Sequence, residues 1–93
     1  MHPAPAMETV REEIREGVRT IIARLAPKKE LMQASSESFR LVEQLGYDSL
    51  ALLELAFAVE EAFGLRPMDL QTANTIHTSA DLEEYVLREL ALA

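Results

Sequence analysis

Apolar residues recur at helical spacing in three stretches of this chain, and no stretch alternates as a strand does. Val10, Ile14, Val18, Ile21, Ile22 and Leu25 fall on one face of a 3.6-residue period, and Pro27 ends the run. Leu50, Leu53, Leu55, Ala56, Phe57, Val59 and Phe63 form the second stretch, with Asp48 placed as N-cap and Gly64 as the glycine that stops it. Leu82, Val86 and Leu90 form the third with Tyr85 beside them, and Thr78 with Asp81 three residues on reads as a capping box. Asp69–Thr72 leaves room for one more turn. The fold class is therefore all-α: three main helices, one short helix and a long first loop, with no internal repeat.

Length permits one domain. The chain has 93 residues, and 48% of them are hydrophobic, enough for one modest core. Residues 1–6 hold two prolines and read as a flexible tail, so the domain is placed at 7–93, with the helix starting at Met7. Glu8–Arg11, Glu12–Arg15 and Glu16–Arg19 are surface pairs at i,i+3. Residues 28–48 lack a period and carry Ser35, Ser36 and Ser38. Leu31, Phe39, Leu41, Val42 and Leu45 are expected to pin this loop to the core. Loops this long more often serve a function than not.

Charge and composition exclude several functions. The net charge of −7 argues against nucleic acid, which requires a basic face. There is no cysteine, hence no disulfide, thiolate nucleophile or thiolate metal site. No apolar run reaches the about 18 residues of a membrane span, and the N-terminus lacks the pattern of a secretory signal. A cytoplasmic monomer is expected, and a free-standing one, from the Met1 start and the close at Ala93. The charge is also uneven. Residues 1–40 carry seven bases against six acids, whereas residues 41–93 carry two bases against ten acids. Glu43 to Leu65 holds five acids and no base. An acidic stretch that is also apolar reads as a folded element whose acidic face steers basic partners.

No catalytic constellation is visible. His2 and His77 lack a second ligand at i+3 or i+4, so no metal site is expected. Gly46-Tyr47-Asp48-Ser49-Leu50 lacks the second glycine and the strand of a nucleophile elbow. Glu12–Glu13, Glu60–Glu61 and Glu83–Glu84 diverge around their helices as solvated surface. Ser49 stands out because it opens the acidic, apolar second helix at the end of the long loop. Asp-Ser is ordinary capping chemistry there. Alternatively, Ser49 is a hydroxyl presented for modification by another enzyme, since a helix N-terminus favours an attached phosphodiester.

Leu45-Gly46-Tyr47-Asp48-Ser49-Leu50, then Leu53-Glu54-Leu55, then Glu60-Glu61-Ala62-Phe63-Gly64, resembles the acyl carrier proteins, and Ile76–Leu82 resembles their approach to the last helix. The resemblance spans about residues 8–90 and implies an acyl-carrier-like four-helix bundle, not an enzyme. It implies that Ser49 receives a 4′-phosphopantetheine arm from coenzyme A through a separate, magnesium-using phosphopantetheinyl transferase. The arm's thiol would carry acyl cargo as a thioester, so the reactive sulfur would be imported. Asp48, beside it, would cap the helix. Asp48, Glu54, Glu60 and Glu61, with Leu50 and Phe57, would dock basic patches on a ketosynthase, acyltransferase or ligase; alternatively Asp48 acts only as the cap and Phe57 is core. Ala51 stands where many fatty-acid members carry an acid, and Ser79 where an aliphatic residue is usual. Gly46–Leu52 resembles the discrete type II polyketide carriers, and Tyr47 departs from the Gly-Gly of many peptidyl carriers. The alternatives are an aminoacyl or peptidyl carrier of a nonribosomal-type pathway and a non-carrier helical adaptor.

Overall fold

A computed structural model of the chain describes residues 3–28, 30, 32 and 38–92, with side chains from Met7 onward. Four helices follow in order: α1 (Pro3–Leu25), α2 (Ser49–Phe63), α3 (Leu70–Ala73) and α4 (Ser79–Glu89). No strand occurs among the described residues, only an isolated antiparallel bridge between Arg40 and Thr78. The all-α expectation is met, with α3 within one residue of the expected turn.

The helix ends follow local chemistry. Helix α1 begins at Pro3, four residues before the expected Met7. Proline is tolerated in a first turn, where amide hydrogens have no intrahelical acceptor. Met1 and His2, the rest of the expected tail, lie outside the described residues, as do Leu31, Ser35 and Ser36 of the loop. The helix stops at Leu25, two residues before Pro27. Gly64 takes the left-handed conformation (φ 66°) and donates its amide to the Glu60 carbonyl. Asp69 caps α3 by accepting from the Thr72 amide at 2.7 Å. At α4 the capping box is complete. Thr78 Oγ1 accepts from the Asp81 amide at 3.0 Å, and Asp81 Oδ2 accepts from the Thr78 amide at 3.1 Å. The His77 amide also donates to Asp81, and chiefly this bond holds the carboxyl below its usual range.

Helix α1 packs against both α4 and α2. Val18, Ile21 and Ile22 from α1 meet Leu55 and Val59 from α2 and Leu82, Tyr85 and Val86 from α4 in one buried cluster. Val10, the first residue of the α1 stripe, is exposed together with Met7. Gly17 lets the Phe63 ring come close, since a Cβ there would lie 3.2 Å from its tip. Arg19 pairs with Glu83 at 3.6 Å across the α1–α4 seam, where burial pushes the Glu83 carboxyl up against the opposing pull of Arg19.

The long loop returns to the core through backbone pairing. The Leu41 amide donates to the His77 carbonyl at 2.9 Å, and the Ser79 amide donates to the Phe39 carbonyl at 2.8 Å. Phe39, Leu41 and Leu45 are buried as expected, but Val42 is 51% exposed. The turn over 41–45 points Leu41 and Leu45 inward at i and i+4, which leaves Val42 facing solvent. The polar departure at Ser79 also has a structural reason. Its side chain is fully buried, and its hydroxyl accepts from the Phe39 amide at 2.9 Å.

Removing that acceptor strands a buried donor. Ser79→Ala is expected to lower stability by about 1–3 kcal/mol, read as an earlier urea midpoint with an unchanged slope. A midpoint equal to the parent's would show that the Phe39 amide has another acceptor.

Candidate functional site

The start of α2 is set by the three residues before it. Gly46 has φ +80°, a turn that favours glycine, and the Pro27 and Lys28 side chains lie within 3.4 Å of where a Cβ would be. The Lys28 amide donates to the Leu45 carbonyl at 3.0 Å, and the Tyr47 amide donates to the Leu41 carbonyl at 3.0 Å. Tyr47 is buried, and its hydroxyl donates to the Ile22 carbonyl of α1 at 2.7 Å. Burial pushes the phenol up, so it stays protonated as a donor.

Asp48 follows in an extended conformation and caps α2. Its Oδ1 accepts from the Ala51 amide at 2.8 Å, and its carbonyl accepts from the Leu52 amide at 2.8 Å. Ser49, the first helical residue, is exposed. Among the described residues its hydroxyl makes no hydrogen bond, and the Ser49 and Leu50 amides find no acceptor. A hydroxyl therefore stands beside two open amide donors at the positive end of a helix dipole, which suits a phosphodiester. No cluster of metal-ligating side chains occurs among the described residues.

Beside Ser49 lies a largely apolar cavity of about 420 Å³ between α2, α3 and the turn that joins them. Leu52, Leu53, Ala56 and Phe57 of α2 form one wall, Met68, Leu70 and Ile76 form the other, and Leu41, Leu55 and Leu82 form the floor. Glu60 and Asn74 add polar atoms to the lining. Glu60 is eleven positions after Ser49 on the same helix, about 16 Å along its axis.

The remaining candidate residues separate into two groups. Leu50 (65% exposed) and Phe57 (59% exposed) lie on the outer surface of α2, with the Glu54 and Glu61 carboxylates also exposed. Phe57 is thus not a core residue. Glu60 is only half-exposed, and its Oε2 accepts from the Met68 amide at 2.8 Å, tying α2 to the turn before α3. Leu53, 50% exposed, completes the outer row, and its spacing from Leu50 and Phe57 was the signal for it. Leu70 is 81% exposed at the cavity edge, and nothing in its sequence context singles it out.

The exposed hydroxyl, the open amides and the adjoining cavity all fit a tethered prosthetic group. A family model described as a phosphopantetheine attachment site matches residues 16–86, from the middle of α1 through most of α4. Carrier domains of this kind are not catalytic themselves; they work with a phosphopantetheinyl transferase and with synthase enzymes. No helix among the described residues is long and apolar enough to cross a membrane. The chain belongs to the phosphopantetheine-binding carrier family, and its prosthetic group is 4′-phosphopantetheine.

Proposed function

We propose that this chain is an acyl carrier protein with its arm on Ser49, working with enzymes of a polyketide-type pathway. The observation that carries the reading is the exposed Ser49 hydroxyl at the mouth of an apolar cavity. When bound, the arm supplies a thiol that holds cargo as a thioester. The chain itself supplies the hydroxyl, two amide donors for the phosphodiester and an apolar recess. An aliphatic segment entering the recess leaves water at about 25 cal/mol per Å² of apolar surface. The α-ammonium of an aminoacyl group would lose hydration there with only Glu60 and Asn74 to replace it, so the largely apolar lining supports acyl cargo. The polyketide assignment rests on the likeness of Gly46–Leu52 to the discrete carriers of those pathways.

Glu54 and Glu61, with Leu50, Leu53 and Phe57, form the face offered to partner enzymes. Ketosynthases, acyltransferases and ligases with basic patches fit it. Exposed carboxylates steer encounter over about 8–10 Å at ordinary salt, and the apolar row supplies area to bury. Asp48 contributes as the cap, and Glu60 divides its role because one of its oxygens holds the Met68 amide.

Coexpression with a promiscuous phosphopantetheinyl transferase is expected to add the mass of one arm to the intact chain, and Ser49→Ala is expected to abolish the gain. No gain, or a gain that survives Ser49→Ala, contradicts the assignment. The two acids also separate by thermal or urea denaturation. Glu60→Ala is expected to cost about 1–2 kcal/mol through the lost amide bond, whereas Glu54→Ala stays within about 0.5 kcal/mol of the parent. Equal costs would remove the distinction between a tied and a free carboxylate.

A further inference from the structure

The hydrogen bonds before Ser49 point to Tyr47, two positions ahead of the proposed attachment point. Among the described residues the segment 45–47 is fastened at five points. The Lys28 amide donates to the Leu45 carbonyl, the Leu45, Gly46 and Tyr47 amides donate to the Arg40, Val42 and Leu41 carbonyls, and the Tyr47 hydroxyl donates to the Ile22 carbonyl at 2.7 Å. The first four are backbone bonds outside the helices. Among the described residues only the fifth runs from this segment directly to a helix, and it does so through a side chain 2% exposed. Ile22 contributes one of the last four carbonyls of α1, which a helix end leaves short of intrahelical donors. Tyr47 and Ser49 are two residues apart, so their Cα atoms lie within about 7 Å of each other. A displacement of Tyr47 is therefore passed to Ser49 through a short extended link.

We propose that Tyr47 is a positioning residue for phosphopantetheinyl transfer, its buried hydroxyl fixing the start of α2, and with it the Ser49 hydroxyl, against the end of α1. The inference rests on Ser49 as the attachment point. Tyr47 itself is buried and does not meet the transferase. Its ring fills the core, while its hydroxyl sets register. Losing the hydroxyl alone leaves the ring and the four backbone bonds in place, so the domain is expected to stay folded while the α2 start loses its direct tie to α1 and gains freedom. Freedom at the reacting group lowers the fraction of encounters with the hydroxyl aligned, which reads in kcat. The outer face of α2 is untouched, so KM is expected to hold.

The experiment measures transfer of the arm from coenzyme A by a purified phosphopantetheinyl transferase to the parent, to Tyr47→Phe and to Ile14→Val. Ile14 is half-buried against the core and lies outside the cavity lining, so Ile14→Val serves as a mildly destabilised control. Tyr47→Phe is expected to lower kcat about fivefold, the scale of one net hydrogen bond, with KM within about twofold. Amide hydrogen exchange at Ala51 and Leu52, whose amides donate to Asp48, is expected to quicken in this variant alone. Ile14→Val is expected to keep the parental kcat. A Tyr47→Phe chain with parental kcat overturns the proposal, as does an equal loss in Ile14→Val. A Tyr47→Phe chain that fails to fold assigns the hydroxyl to the fold at large and overturns it too. Failure of the parent itself to accept the arm would instead remove Ser49 as the attachment point.

Discussion

The backbone of Leu41 joins the two ends of this fold. Its amide donates to the His77 carbonyl just before α4, and its carbonyl accepts from the Tyr47 amide just before α2. Its side chain is 1% exposed and forms part of the cavity floor. One residue in a non-helical loop thus sets the approach to two helices and closes the recess between them. The flanking bonds from Ser79 to Phe39 and from Phe39 to Ser79 Oγ keep this short pairing in register. Buried backbone groups must find partners, and here a loop without regular structure finds them in the turn before α4.

With that frame fixed, α2 serves three environments at once. Leu55 and Val59 face the core, Leu52 and Ala56 face the cavity, Leu53 and Phe57 stand exposed at its rim, and Leu50 faces solvent. A helix with this much apolar surface could have been buried more deeply, at a gain of about 1.5–3 kcal/mol for each large side chain covered. Exposing three of them in a row forgoes that gain, and such departures concentrate where a surface has work to do. Ser49 sits exposed at the head of this helix, so the proposed attachment point, the apolar cavity and the outer face all radiate from one element.

Features set by neighbouring residues were legible in the sequence. Asp48, Thr78 with Asp81, and Gly64 cap or stop their helices where the residue types indicated, because capping chemistry acts within three or four positions. The surplus of apolar side chains on α2 was legible for the same reason. Ser49 was ambiguous by spacing alone and became a candidate only through the longer pattern around it. The pairing of 39–41 with 77–79 was not legible, since two or three residues show no alternation and the partners lie about forty positions apart. The Glu60 tie to Met68 depends on how the turn after Gly64 folds back, which single-helix periodicity does not encode. The Tyr47 bond to Ile22 spans 25 positions and depends on how α1 and α2 pack.

The central claim is that the arm on Ser49 and the cavity beside it form one cargo-holding unit. The most direct measurement compares amide NMR spectra of the arm-bearing protein with and without a medium-length acyl group on the arm. Shift changes centred on Leu52, Ala56, Met68 and Ile76, well beyond the attachment point, are the expected result. Changes confined to Ser49 and its immediate neighbours, with the cavity residues unmoved, would contradict it.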